Sequence, residues 1–159
     1  KVWGSNKKIT MSVDVKNSLK LIGKNQEDIK VISAYSQDSI VAVKDMIFLK
    51  KNRIFVMMIN RFMWEDIEKG IHRQNKRIRC AIKFEEILKV KSQKINQKNR
   101  NKILECLAIK CNQTLSKNYE IKIFFSGGAV IILIAESIEV TMHDLGESWK
   151  VKHIPKHKI

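Results

Sequence analysis

The shortness of the apolar runs is the feature that most constrains the fold of this chain. The longest uninterrupted run covers residues 129–135, only seven positions in a chain of 159 residues that is 44% hydrophobic. A helix that crosses a bilayer needs about 18 consecutive apolar residues, so we expect no membrane span. Short apolar runs separated by polar turns are typical of strands. The length fits one compact domain and leaves no room for a second of ordinary size.

Two of these runs predict central strands. In residues 54–59, within a predicted strand over residues 53–61, and in residues 129–135, both alternating sets of side chains are apolar, which is typical of a strand covered on both faces. Gly127 and Gly128 predict a tight hairpin turn before the second run, because glycine readily takes positive φ. Connections as short as those in this chain favour antiparallel pairing. Further short strands are predicted at residues 18–22, 39–43, 46–49, 78–84, 87–90, 103–111 and 119–125.

One helix is predicted early in the chain. Asn25 is a suitable N-cap, and Asp28 stands at the N3 position that supports such a cap. The apolar side chains of residues 26–36 then follow at spacings that give a broad stripe along one helical face. We therefore expect a helix over residues 26–36.

Residues 137–145 are ambiguous between helix and strand. Ile138, Val140 and Met142 alternate as in a strand, whereas Ile138, Met142 and Leu145 share one face of a helix. The serine that begins the segment is a good N-cap. This cap favours a terminal helix over residues 137–145.

Together these elements predict an α+β fold. It would be a mostly antiparallel small β-barrel or sandwich with one N-terminal and one C-terminal helix. Residues 1–16 are polar and lysine-rich without periodicity, and we expect them to form a flexible lead-in. Residues 17–150 are predicted to form a single globular domain, followed by a basic tail at residues 151–159.

The charge of the chain is strongly basic, with 31 Lys and Arg against 16 Asp and Glu, a formal net charge of +15. Such an excess points to nucleic acid as a partner. However, 25 of the basic residues are Lys and only six are Arg, the residue that bidentate phosphate and base recognition prefers. A/T-rich codons alone could inflate Lys, Ile and Asn. The placement is more specific, because the polar segments 72–79 and 91–102 concentrate the charge in two predicted basic loops.

No catalytic constellation is visible in the sequence. The chain has no glycine-rich phosphate loop, nucleophile elbow, HExxH, EF-hand or paired Cys-x-x-Cys motif. Cys80, Cys106 and Cys111 form no disulfide framework, and in a cytosolic chain they should be reduced. Cys106 and Cys111 are five residues apart on one predicted strand, so we expect them to face opposite sides. We predict no catalytic residues, no metal site and no cofactor.

The most informative local string is residues 60–66, which combines a guanidinium, two aromatic rings and two carboxylates at the end of a predicted central strand. Arg61 with Trp64 could form a cation–π platform for an anionic or planar ligand. The alternative, which we favour, is that the aromatic rings close the core while Arg61 pairs with Glu65 or Asp66. With the basic loop included, the candidate ligand-binding residues are Asn60, Arg61, Trp64, Glu65, Arg77 and Arg79.

Several short motifs occur in a fixed order along the chain: Asp28, Ser33-Ala34, Gln37-Asp38, Asn60-Arg61-Phe62, Trp64-Glu65, Gly127-Gly128, Asp144-Leu145-Gly146, Trp149, Pro155 and His157. In this order and spacing they resemble an alphaproteobacterial family catalogued as domain of unknown function 2948, over about residues 19–157. The resemblance implies a cytoplasmic bacterial protein and supplies no catalytic residues. The strand succession of the second half is also similar to the end of pleckstrin-homology-like barrels, a fold with lipid, peptide and scaffolding roles.

The sequence therefore favours a non-enzymatic binding or adaptor module that recognises a protein or a small anionic ligand. One alternative is a basic nucleic-acid- or ribosome-associated protein that uses residues 73–79 and 91–102. The other alternative is an enzyme of unrecognised type around Asn60, Arg61, Glu65 and Asp144. If the basic loops form one face, their summed field would attract anions.

Overall fold

The computed structural model describes residues 18–63 and 76–150 of the chain. The predicted lead-in and the basic tail lie outside these residues. Within this part the chain forms ten strands and one α-helix. Their bounds are β1 Lys20–Gly23, α1 Gln26–Ser36, β2 Ile40–Ala42, β3 Met46–Leu49, β4 Ile54–Phe62, β5 Lys76–Phe84, β6 Ile87–Gln93, β7 Ile103–Gln113, β8 Tyr119–Phe125, β9 Val130–Ala135 and β10 Val140–Lys150.

The strands form one antiparallel sheet in the order β1-β10-β5-β4-β2-β7-β8-β9-β6, with β3 paired to β4. The sheet is not closed into a barrel, since β1 and β6 stand at its two ends. β2 is only three residues long, and it pairs with β4 at the single position Ile40–Asn60. We call β1, β10, β5, β4, β3 and β2 the first half-sheet, and β7, β8, β9 and β6 the second half-sheet. The result is a sandwich-like, mostly antiparallel fold with one helix among the described residues.

The core is a single buried cluster to which both half-sheets and α1 contribute. On β4 and β5 it includes Phe55 and Phe84, whose ring centroids are 6.2 Å apart. On β8 and β9 it includes Ile123 and Leu133, both with no exposed surface. Burying a side chain of this size contributes roughly 1.5–3 kcal/mol. Apolar burial on the inner faces therefore holds the two half-sheets together.

The early helix is confirmed with the predicted bounds. Asn25 caps it, because its Oδ1 accepts a hydrogen bond from the Asp28 backbone N–H at 2.8 Å. Asp28 in turn accepts from the Lys24 backbone N–H at 2.9 Å. Ile29 and Ile32 carry the buried face of α1 into the core. The first of these contacts satisfies one free N–H group of the first helical turn, and the second fixes the residue before the cap.

The predicted C-terminal helix over residues 137–145 is wrong. The segment enters strand β10, which pairs with β1 on one side and β5 on the other. Val140 and Met142 are buried, whereas Leu145, which the helical interpretation placed on the apolar face, is 36% exposed. Two neighbouring strands supply the hydrogen bonds of the segment, and this outweighs the N-cap preference of Ser137. The similarity to a pleckstrin-homology-like barrel fails for the same reason, since its C-terminal helix is replaced by a strand and the sheet stays open.

The predicted orientation of two cysteines is also wrong. The pairing of β7 with β8 shifts register between Cys106 and Ala108, and Leu107 in this irregularity is exposed. The extra residue changes which side chains face inward. Cys106 is buried in the core and Cys111 is packed against it from the same side of β7. Burial raises the pKa of the Cys106 thiol to about 12 and that of the Cys111 thiol to about 11.

The two strands expected to be covered on both faces are covered on one. Along β4 and β9, alternate side chains are buried in the core and the others are half-exposed. Within residues 18–63 and 76–150, no second layer covers these outer faces. On these two strands one face therefore packs into the core, and the other face forms the outer surface of the sheet.

Candidate functional site

Arg61 is a core residue in this structure. It lies on β4 with no exposed surface, and its Nε and Nη2 donate to Oδ1 and Oδ2 of Asp144 at 2.9 and 2.8 Å. Its Nη1 donates to the Phe62 carbonyl at 2.9 Å, and the guanidinium stands 5.8 Å from the centroid of the Tyr35 ring. This bidentate pair is the strongest geometry available to an arginine and a carboxylate.

Asp144 extends the pair to a third strand. Its Oδ2 accepts from the Leu19 backbone N–H at 2.9 Å, and its own N–H donates to the Leu19 carbonyl at 2.9 Å. Asp144 is 4% exposed. The contacts link β10 with β4 and with the residue that precedes β1. A buried ion pair with all its hydrogen bonds made is a structural element, because breaking it would leave one charge uncompensated.

Arg77 is a second buried arginine, 5% exposed, on the outer face of β5. Its guanidinium lies over the Phe62 ring at 3.9 Å, and its Nη1 donates to the carbonyls of Asn60 and Asp38 at 2.9 and 3.4 Å. Burial lowers the pKa of Arg77, and the negative charges of Asp38 and Glu105 act against this effect. Desolvation raises the pKa of Glu105, and the neighbouring Asp38 carboxylate raises it further.

Arg79 and Asn60 lie side by side on the same outer face, as paired residues of β5 and β4. Nη1 of Arg79 is 3.5 Å from Oδ1 of Asn60, and its Nη2 is 3.5 Å from Oδ2 of Asp45. The backbone N–H of Lys44 donates to the Arg100 carbonyl at 2.9 Å. The turn at residues 43–45 therefore contacts both the basic start of β5 and the connection between β6 and β7.

The structure brings Asn60, Arg77 and Arg79 together on one face, whereas Arg61 points into the core on the other. Trp64 and Glu65 lie outside the described residues. Of the four residues in the enzyme hypothesis, Arg61 and Asp144 are paired in the core, Asn60 is on the outer face, and Glu65 lies outside the described residues. Residues 76–79, expected to belong to a basic loop, form part of strand β5.

A basic surface that sequence reasoning missed covers the outer face of the second half-sheet. Register pairs Lys110 with Lys122, Lys122 with Ile132, and Ile132 with Lys91, so three lysines share one row across four strands. Lys89 lies two residues before Lys91 on β6, in the neighbouring row on the same face. We call Lys89, Lys91, Lys110, Lys122 and the adjacent Phe124 the lysine face. The sequence contains one sign of this surface, the alternation of lysine with apolar residues along β6. Only the strand register shows that lysines of different strands lie side by side.

Few carboxylates compensate this surface. Residues 87–135 contain nine Lys and Arg against two Asp and Glu. Within the same segment the only ion pair is Lys122 with Glu120, at 3.7 Å. Lys110 Nζ stands 5.7 Å from the centroid of the Phe124 ring. Between the lysines the surface is apolar and half-exposed, formed by Val130, Ile132 and Ile134.

Two further properties of residues 18–63 and 76–150 bear on the site. No group of three or more His, Cys, Asp and Glu side chains stands where it could hold a metal ion. None of the helices in these ranges has the length and apolar character needed to cross a membrane.

Comparison with known proteins gives one match. The sequence model of a family described as "Protein of unknown function (DUF2948)" matches residues 19–157, which confirms the resemblance drawn from the ordered motifs. No curated protein and no solved structure matches the chain.

Proposed function

Because the chain belongs to the DUF2948 family, whose description assigns no activity, we propose a function from the geometry: a non-enzymatic module that binds single-stranded nucleic acid on the lysine face. The observation that carries this proposal is the row of Lys110, Lys122 and Lys91 across paired strands, next to Phe124.

The spacing of the lysines is fixed by the sheet. Neighbouring strands lie about 4.8 Å apart, so a row that crosses four strands extends over roughly 14 Å. A polyanion that follows this row meets several cations held at set positions and releases its own counterions. Lysine is a point charge without the planar fork of arginine, and it suits phosphate contacts that do not read sequence. The excess of lysine over arginine is compatible with this kind of binding.

The apolar part of the face favours a single strand over a duplex. Phe124 is half-buried in the sheet, and Val130 and Ile132 flank it across the strands. Exposed bases can stack on an aromatic ring while phosphates meet the lysines, a combination used by proteins that bind single strands without sequence preference. In a duplex the bases are already stacked on one another, so Phe124 would have no base to receive.

Two arginines among the candidate ligand contacts, Arg61 and Arg77, already bind groups within the protein, and this supports a non-enzymatic role. Arg61 is committed to Asp144, and Arg77 to backbone carbonyls and the Phe62 ring. Both arrangements stabilise the fold. A cytosolic location is part of this proposal, since the three free cysteines fit a reducing compartment that also holds nucleic acid.

Binding to a labelled single strand of about 16 nucleotides, a length that single-strand-binding folds occupy, tests the proposal. We expect fluorescence anisotropy to show saturable binding at roughly 50 mM salt that weakens steeply as salt rises. The plot of log K against log salt has a negative slope, and the double variant Lys110→Gln/Lys122→Gln should make it shallower by about 1.4. Each phosphate contact on a single strand contributes about 0.7 to the steepness.

The charge-matched control is Lys24→Gln/Lys30→Gln, on residues with carboxylate partners near α1. It should leave the slope unchanged. Equal losses in both double variants would show a net-charge effect without a defined face and would overturn the proposal. Absence of binding to any single strand, or tighter binding to a duplex of equal length, would also overturn it, and an acidic protein would then be the ligand class to examine.

A further inference from the structure

A pocket lies between two strands, β3 and β6, that are each paired on one side only. β3 pairs with β4 alone and β6 with β9 alone, and between them is a pocket of about 210 Å³. We call it the edge pocket. It is separate from the row of Lys110 and Lys122, although Lys91 contacts both sites.

Apolar side chains of the core form one wall of the edge pocket. Phe55, Val43 and Ile131, which line it, are core residues no more than 6% exposed. Phe48, Val90 and Ile95 complete the apolar wall, and each packs against the core cluster. Because these side chains are fixed by the core, an apolar ligand would meet a surface that needs little rearrangement.

The rim of the edge pocket is cationic. Its polar side chains are Lys91, Arg100, Ser92 and Gln97, and no carboxylate lines it. Gln97 Nε2 donates to Ser92 Oγ at 3.3 Å, which holds two of these side chains in place. The Arg100 side chain is exposed, and it has no ion-pair partner in the part of the chain that the structure describes.

The segment that carries Arg100 is anchored although its side chain is exposed. The Arg100 carbonyl accepts from the Lys44 backbone N–H at 2.9 Å, and the Lys102 carbonyl accepts from the Val43 backbone N–H at 3.0 Å. These two bonds tie the connection between β6 and β7 to the turn at residues 43–45. The backbone from which the Arg100 side chain extends is thus anchored at the rim of the pocket.

We propose that the edge pocket binds a small carboxylic acid with an aromatic or branched apolar body. The body would lie against Phe55 and Ile131, and the carboxylate would meet Arg100, with Lys91 nearby. A cavity of about 150 Å³ is enough to hold benzene, so the size of the edge pocket suits one ring with a short acid chain. Arginine binds a carboxylate through two parallel hydrogen bonds, which sets the orientation of such a ligand.

Isothermal titration calorimetry with three probes tests this inference on the full chain. Phenylacetate should bind saturably at one site, whereas acetate, without the apolar body, and 2-phenylethanol, without the charge, should bind at least about tenfold more weakly. Equal heats for acetate and phenylacetate would show only anion binding at the rim and would overturn the proposal. Equal affinity for the alcohol would show apolar binding alone, and no binding of phenylacetate would also overturn it.

Variants at the rim make the assignment specific. Arg100→Gln should weaken phenylacetate binding at least about tenfold, and Arg100→Lys should restore part of the affinity because it keeps the charge and loses the fork. Lys98→Gln, on the same connection but outside the lining, is the charge-matched control and should bind as the native protein does. Circular dichroism of each variant confirms the fold. Equal losses in Arg100→Gln and Lys98→Gln would contradict the site. Phenylacetate binding and nucleic-acid binding are measured separately, so either proposal can fail alone.

Discussion

The two half-sheets use their charged residues in different ways. The first half-sheet with its connections, residues 18–63, 76–86 and 136–150, contains thirteen basic and ten acidic residues. Ion pairs are spread over this part: Arg61 with Asp144, Arg79 with Asp45, Lys83 with Glu85, Lys24 with Glu139, and Arg53 with Glu86 and Glu136. Residues 87–135 contain nine basic and two acidic residues, and the structure shows one ion pair among them, Lys122 with Glu120.

The difference separates charge that holds the fold from charge that is available to a partner. Arg61 is the most buried cation, and its removal from water is compensated by Asp144 and a carbonyl. Lys91 and Lys110 are exposed, so they stay hydrated and contribute to the field outside the protein. The net charge of +15 counts buried, paired cations and exposed cations alike, so it does not distinguish the two kinds.

The largest expected effect is on the buried pair of the first half-sheet. Asp144→Ala would leave the Arg61 guanidinium buried without its carboxylate and should lower the free energy of unfolding by about 3–5 kcal/mol. Urea denaturation followed by circular dichroism measures this loss. In the second half-sheet, Glu120→Ala breaks a pair at the surface whose partners are both partly exposed, and it should cost less than about 1 kcal/mol. Similar losses for the two variants would contradict the distinction between the half-sheets.

Phe124 gives the next largest effect, on binding. If bases stack on its ring, Phe124→Ala should weaken single-strand binding by about 1–3 kcal/mol, while Phe124→Tyr retains most of the affinity. The same anisotropy assay measures both. Phe62→Tyr, at an aromatic residue whose ring is already covered by Arg77, is the control in the first half-sheet and should bind as the native protein does. Unchanged binding in Phe124→Ala would remove the stacking role and leave only the lysines.

The carboxyl of Glu105, where the half-sheets join, gives a pH-dependent effect. Its pKa is raised in the folded state, so this group favours folding at low pH, and that contribution is lost as pH rises through the folded pKa. Glu105→Gln should therefore raise the melting temperature at pH 7, and the gain should vanish below the ordinary glutamate pKa of about 4.3. Differential scanning calorimetry at both pH values measures it. A gain that persists at low pH would show a cause other than ionisation.

The smallest expected effect concerns Arg79, which the sequence alone placed among the ligand contacts. Its partly exposed pair with Asp45, at 3.5 Å, should contribute only about 0.2–1 kcal/mol to stability. Because Arg79 is in the first half-sheet, we expect Arg79→Gln to bind a single strand within about twofold of the native protein. A loss of single-strand affinity as large as that of Lys122→Gln would show that the binding surface covers both half-sheets, and it would contradict the distinction between them.

Where local contacts decide the structure, the sequence predicted it well. The helix over residues 26–36 is confirmed because its cap is made by residues three positions apart, Asn25 and Asp28. Strands β3 and β8 have the predicted bounds for a similar reason, since turn residues delimit them on both sides. Residues 137–145 were predicted wrongly because their conformation depends on β1 and β5, which are distant in the sequence.

The candidate site shows the same division. The sequence singled out residues 60–66 and favoured a carboxylate partner, Glu65 or Asp66, for Arg61. The partner that the structure describes, Asp144, is 83 residues away along the chain. The lysine face was missed because its members lie on β6, β7 and β8, and their alignment depends on register and on the irregularity near Leu107.

The sequence by itself determined the mostly antiparallel pairing, the helix α1, most of the strands and the excess of positive charge, because periodicity, capping and composition act over a few residues. Only the tertiary structure decided which charges are paired in the core, which lysines stand in one row, and that β10 is a strand. The physical reason is that burial and cross-strand pairing join residues far apart in the chain, and those contacts determine whether a charged side chain stabilises the fold or remains exposed to a ligand.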